Sequence, residues 1–125
     1  MCGIFGFSVG TGLVSNKANH IKNDIKNFVN LSIPRGSDTF GLNINYDNKS
    51  FVYKTNTNPK NAINQKLYKK FIDKHLELAS KNKNFFNYFG QTRLVTNGTK
   101  FLYKNNQPIT LKRITGLHNG IIFFN

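Results

Sequence analysis

Two stretches of helical period, each bounded by short apolar β runs, constrain this 125-residue chain most. In the first, Ile21, Ile25, Phe28, Val29 and the Ser32/Ile33 pair recur at the spacing of one helix face. Ser15 or Asn16 stands where it would cap this helix, and Pro34 ends it, because the residue before proline avoids the helical region. A second helix is expected over residues 61–81, with Ile63, Leu67, Phe71, Ile72, Leu78 and Ala79 on its inner face. Neither helix can stay folded without a sheet or another helix to cover its stripe, so a layered arrangement follows.

The remaining segments read as strands and turns. Residues 4–9 form an apolar run interrupted by Gly6, followed by a turn at Gly10-Thr11-Gly12. Gly36 and Gly41 are expected to bracket a loop. Leu42, Ile44 and Tyr46 then alternate with Asn43 and Asn45, and Asp47-Asn48-Lys49 turns the chain into Phe51-Val52-Tyr53, a β-hairpin. Residues 56–61 read as a polar loop containing Pro59. From Phe85 onward the chain is β-rich, with Phe101-Leu102-Tyr103 as a short strand or turn, and residues 114–117 and 121–124 as strands separated by His118-Asn119-Gly120. The order β-α-ββ-α-β-β predicts an α+β fold of helices packed on antiparallel sheets. The last run, residues 121–125, is apolar. It either pairs internally or marks a chain cut short within its domain, and the second reading is favoured because an unprotected apolar edge strand is a liability.

Composition narrows the class. Hydrophobic residues make up 38% and aromatic residues 14%, enough for a core and against full disorder. No run approaches the roughly 20 apolar residues that span a bilayer, and the start lacks a signal-peptide pattern. One cysteine excludes an internal disulfide and a Cys-based zinc cluster. These features point to the cytoplasm. The formal net charge is +13, from 18 Lys+Arg against 5 Asp+Glu, which raises the question of a polyanionic partner. The cations are dispersed lysines in a chain crowded with Asn, Ile and Phe, the pattern of compositional drift rather than of a clustered nucleic-acid footprint. Against that background the few arginines stand out: Arg35, Arg93 and Arg113. A guanidinium fork grips a carboxylate or several backbone carbonyls at once. Arg35 is read as a loop clamp or structural ion pair, Arg93 as a ligand-binding residue.

Cys2 is the one candidate nucleophile. If Met1 is removed, it carries a thiol beside a free α-amine. An α-amine titrates near pH ~7.7–8.0 and a free thiol near ~8.5. Such an amine can act as the base for its own side chain, directly or through a water, without a histidine. Downstream, Asn119-Gly120 presents a side-chain amide beside an unhindered backbone N–H, two donors able to form an oxyanion hole. From those two residues alone a hairpin turn is the stronger reading.

Five segments in order resemble the class II, N-terminal-cysteine glutamine amidotransferase domain found in asparagine synthase, amidophosphoribosyltransferase and glucosamine-6-phosphate synthase. They are Met1-Cys2-Gly3-Ile4-Phe5-Gly6, Arg35-Gly36-Ser37-Asp38-Thr39-Phe40-Gly41, Gly90-Gln91-Thr92-Arg93-Leu94-Val95-Thr96, Asn106-Gln107-Pro108, and Leu117-His118-Asn119-Gly120-Ile121-Ile122. The resemblance implies a four-layer α-β-β-α sandwich of the N-terminal-nucleophile hydrolase type, over residues 1–125. It implies a glutaminase in which Cys2 attacks the side-chain amide of L-glutamine and passes through a glutamyl thioester. Asn119 and Gly120 would hold the oxyanion, Arg93 the α-carboxylate, and Thr96 would lie in the same pocket. Arg35, Gly36 and Asp38 would shape the neighbouring loop. No metal or organic cofactor is implied.

The resemblance also marks departures. Gln91 stands where the family often has His, and Asn97 where several members have His or Ser. A later Asp that binds the α-amino group of glutamine, and the family's remaining strands, have no counterpart in the 125 residues. The expectation is therefore the N-terminal portion of such a domain, its ammonia passing to an acceptor module on another chain or on further polypeptide. The Arg93-Leu94 and Gln107-Pro108 pairs lean towards the asparagine synthase and amidophosphoribosyltransferase relatives. A non-catalytic remnant is the alternative reading, and a basic nucleic-acid-binding module the third.

Overall fold

The computed structural model describes residues 2–10, 14–81 and 85–120. Strand β1 (Gly3–Val9) leads to helix α1 (Val14–Ser32) and a 3₁₀ turn over Ile33–Arg35. The hairpin β2 (Thr39–Tyr46) and β3 (Lys49–Thr55) follows, then helices α2 (Pro59–Ala62) and α3 (Lys66–Ser80), and strand β4 (Phe86–Arg93). A second 3₁₀ turn covers Tyr103–Asn105, and a short hairpin joins β5 (Ile109–Leu111) to β6 (Ile114–Gly116). The fold is thus α+β, with a four-stranded antiparallel sheet in the order β1-β4-β2-β3 and a two-stranded antiparallel sheet β5-β6. No helix among the described residues is long and apolar enough to cross a membrane.

Strand alternation divides the larger sheet into two faces. Phe5, Val9, Phe40, Leu42, Ile44, Phe86 and Tyr88 point to one face and form a buried core with Ile21, Ile25 and Val29 of α1 and Tyr68, Ile72 and Leu76 of α3. The other face carries Asn43, Gln91 and Arg93, and residues 94–120 return towards it. Asn43 is fully buried there, its amide oxygen accepting from the Ser50 hydroxyl at 2.7 Å. The expected alternation of Asn43 with Leu42 and Ile44 holds, and Asn43 is buried on its own face as well.

Several sequence expectations are corrected by the packing. Gly41 lies inside β2, not at a loop end. An added Cβ there would collide with the backbone carbonyl of Gln107 and the Pro108 ring, so glycine admits the returning chain against the sheet. Ser15 and Asn16 lie within α1, which begins at Val14. Phe28, expected on the inner face of α1, is 37% exposed and stacks at the rim on Phe5, with 6.3 Å between ring centroids. The second helical region is broken: Asn58 caps α2, its side chain accepting the Lys60 N–H at 2.9 Å, and α3 begins only at Lys66. In α3 the buried face is Tyr68, Ile72, His75, Leu76 and Ala79, while Leu67 is 72% exposed. Ile72 and Ala79 are buried as expected, and Tyr68 and His75 join them through tilted and edge-on contacts with the rings of Phe40, Tyr53, Phe51 and Phe71. The β2–β3 turn is two residues long, Asp47 and Asn48, both at positive φ, and Lys49 already pairs with Tyr46. Strand β5 has no counterpart among the sequence expectations. The Gly10-Thr11-Gly12 turn lies partly, and the 121–124 strand wholly, outside the described residues.

Candidate functional site

Antiparallel pairing of β1 with β4 puts Gly3 opposite Thr92, so Cys2 emerges at the end of the sheet where Arg93 leaves it. The same end receives the chain after β6. There the Asn119 side chain and the Cys2 backbone exchange two hydrogen bonds: Cys2 N–H donates to Asn119 Oδ1 and Asn119 Nδ2 donates to the Cys2 carbonyl, each at 3.1 Å. The thiol Sγ lies 3.9 Å from the Leu94 carbonyl. Cys2 is half-buried. A cavity of about 310 Å³ opens beside it, lined by Cys2, Arg93, Thr96, Asn97, Gln107 and Gly120 among others. Four of the sequence-predicted site residues, Cys2, Arg93, Thr96 and Gly120, thus share one cavity, and a fifth, Asn119, is bonded to the Cys2 backbone.

Arg93 is held in place by the loop that follows it. Nη1 donates to the Asn105 carbonyl at 2.8 Å and to Asn106 Oδ1 at 3.1 Å, and Nη2 donates to the Asn97 carbonyl at 2.8 Å. The fork therefore shapes the 97–106 segment as a wall of the cavity. Nε takes part in none of these bonds. Residue type marks Arg93 in the sequence, but its three acceptors, two backbone carbonyls and one side-chain amide oxygen, leave no mark on residue spacing.

The Arg35-Gly36-Ser37-Asp38 loop supports this end of the sheet. Arg35 Nε points at the Cys2 carbonyl at 3.5 Å. Gly36 is pressed against β4: an added Cβ would lie 2.5 Å from the Thr92 carbonyl oxygen and 2.7 Å from the Arg93 carbonyl carbon. Asp38 N–H donates to the Arg93 carbonyl at 2.9 Å, and its carboxylate accepts the Val95 N–H at 2.8 Å. Asp38 thereby brackets Leu94, fixing the backbone just after Arg93, and continues the β2–β4 pairing one step past the sheet. These three residues touch the backbone around the cavity and are not among its lining residues.

Gln91 and Gln107 both reach the backbone of His118. Gln91 Nε2 donates to its carbonyl at 2.9 Å, Gln107 Nε2 donates to the same carbonyl at 2.7 Å, and Gln107 Oε1 accepts its N–H at 2.5 Å. Thr92 turns to the other face and donates to the Ser32 carbonyl at 2.8 Å, tying the end of α1 to β4. Among the described residues, no three His, Cys, Asp or Glu side chains converge as metal ligands would.

The chemistry available at this end of the molecule is a thiol, a neighbouring amide nitrogen with two N–H groups of which one is used, and the guanidinium of a residue lining the same cavity. The chain was compared with family models, curated proteins and solved structures, and nothing matches it.

Proposed function

We propose that this chain is a glutaminase of the N-terminal-cysteine type, the ammonia-releasing half of a class II glutamine amidotransferase. One observation carries the reading: Asn119 is bonded to Cys2 across 117 residues of sequence, at the mouth of a cavity that Arg93 also lines. With Met1 removed, the nitrogen that meets Asn119 Oδ1 is the α-amine. That amine accepts the thiol proton as Sγ attacks the side-chain amide carbon of glutamine. The oxyanion of the tetrahedral intermediate takes the second Asn119 Nδ2–H and the Gly120 N–H. Collapse breaks the C–N bond, the ammonium form of the amine returns its proton to the leaving nitrogen, and ammonia departs from a glutamyl thioester. Water, deprotonated by the same amine, then attacks the thioester, giving glutamate and the free thiol. Arg93, through Nε and the edge facing the cavity, receives the α-carboxylate.

The same reading takes the four-stranded sheet and its helices as one half of an α-β-β-α sandwich. The face bearing Asn43, Gln91 and Arg93 is then the one turned to the second sheet. Ammonia passes to an acceptor module on another chain or on further polypeptide, of the asparagine synthase or amidophosphoribosyltransferase kind. The reading is tested by labelling. A glutamine-shaped electrophile should modify Cys2 of the Met1-processed chain at one equivalent, and millimolar glutamine should slow the labelling. Labelling that glutamine leaves unchanged would count against a glutamine site.

A further inference from the structure

Three hydrogen bonds converge on the backbone of one residue, His118, next to the candidate oxyanion donors. Gln107 pairs its whole side-chain amide with the backbone of His118, giving Nε2–H to the carbonyl and taking the N–H, as a neighbouring strand would. Gln91 adds a second donor to the same carbonyl at 2.9 Å. Gln91 sits in the centre of the sheet, paired with Ile4 on one side and Gly41 on the other, and is 1% exposed. Its Oε1 is buried with no partner among the described residues. A buried amide oxygen without a donor opposes folding, so an apolar residue would serve stability better at this position. What a glutamine offers instead is its N–H, and that N–H is spent on His118. Gln107 is itself anchored, because its backbone lies against Gly41 of β2 and the following Pro108 is buried. A continuous path of bonds therefore runs from the sheet centre through Gln91 and Gln107 to His118, then along the chain to Asn119 and on to Cys2.

We infer that Gln107 and Gln91 are positioning residues for the glutaminase reaction, fixing the backbone on both sides of the His118 Cα so that the Asn119 amide and Gly120 N–H face the oxyanion formed at Cys2. The inference rests on the glutaminase reading. A displacement of the donors by about 1 Å costs up to ~100-fold in rate, and substrate held by Arg93 is not affected, since that side chain is fixed by Asn97, Asn105 and Asn106.

The test compares the Met1-processed full chain with Gln107→Leu, Gln91→Leu and Gln91→His, each checked for folding by circular dichroism and for active sites by stoichiometric alkylation of Cys2. Gln107→Leu should lower kcat for glutamine by about 10–100-fold with KM within about threefold. Gln91→Leu should do the same more weakly, and Gln91→His, which keeps a ring N–H donor, should recover most of that loss. Unchanged kcat in both leucine variants overturns the inference and leaves the glutaminase reading intact. So does a loss matched by an equal loss of alkylatable sites. A wild-type chain that releases no glutamate overturns the glutaminase reading, and this inference with it.

Discussion

Asn119 and Cys2 exchange a pair of 3.1 Å hydrogen bonds through the side chain of one and the backbone of the other. The arrangement fixes the Asn119 amide plane, so its remaining N–H has a defined direction. Asn119→Ala should lower kcat by about 10²–10³-fold, the effect of deleting one oxyanion donor. KM should change little, because the carboxylate site is built by other residues. Steady-state glutamate release against glutamine concentration separates the two parameters, and a rise in KM alone would place Asn119 in substrate binding instead.

Arg93 satisfies three oxygen acceptors of the 97–106 loop. A lysine cannot match a planar fork that reaches Asn97, Asn105 and Asn106 together. Arg93→Lys should therefore raise KM for glutamine by at least about tenfold, corresponding to one lost charge-assisted hydrogen bond of about 1.5–3 kcal/mol. It should also speed amide hydrogen exchange across residues 97–106 while leaving β1 to β3 protected. Exchange that is unchanged in the loop would show that Arg93 does not hold it.

His75 is buried in the core, its Nδ1 2.9 Å from the Tyr46 hydroxyl and its ring 4.3 Å from that of Phe51. Burial, and secondarily the charge of Lys74, holds its imidazole below the ordinary value of 6.5. The unfolded chain then binds a proton at a higher pH than the folded one. Stability from this group is complete above about pH 6.5, falls as pH drops from there towards the lower folded value, and levels off beneath it. Urea midpoints at pH 7.5 and 5.5 should show the decline, and His75→Gln should flatten it. An equal decline in His75→Gln would assign the pH dependence elsewhere.

The match between sequence and structure varies with the kind of signal. Helix α1 is legible because Ile21, Ile25 and Val29 bury on a plain aliphatic stripe and Pro34 stops the run. In helix α3, Ile72 and Ala79 are buried as their period indicates and Phe71 packs against the core, but Leu67 and Leu78 are exposed and Tyr68 and His75, which a polar-versus-apolar pattern places outside, complete the buried face. Gly41 looks like a loop residue, and only the return of Gln107 and Pro108 across the sheet makes it a close-packed glycine inside β2. At the site, Cys2, Arg93, Asn119 and Gly120 are marked by residue type and by the resemblance. The grip of Gln91 and Gln107 on His118 is a matter of side chain meeting backbone, and no spacing along the chain encodes it.

The most direct test of the account is glutamine hydrolysis by the chain with its N-terminal methionine removed, measured as glutamate and ammonia released in equal amounts. The account predicts turnover that saturates with glutamine, is abolished in Cys2→Ala, and falls steeply in Cys2→Ser, whose hydroxyl is a far weaker nucleophile than a thiol at neutral pH. A folded, processed chain that releases no glutamate, or one whose release survives in Cys2→Ala, would contradict it.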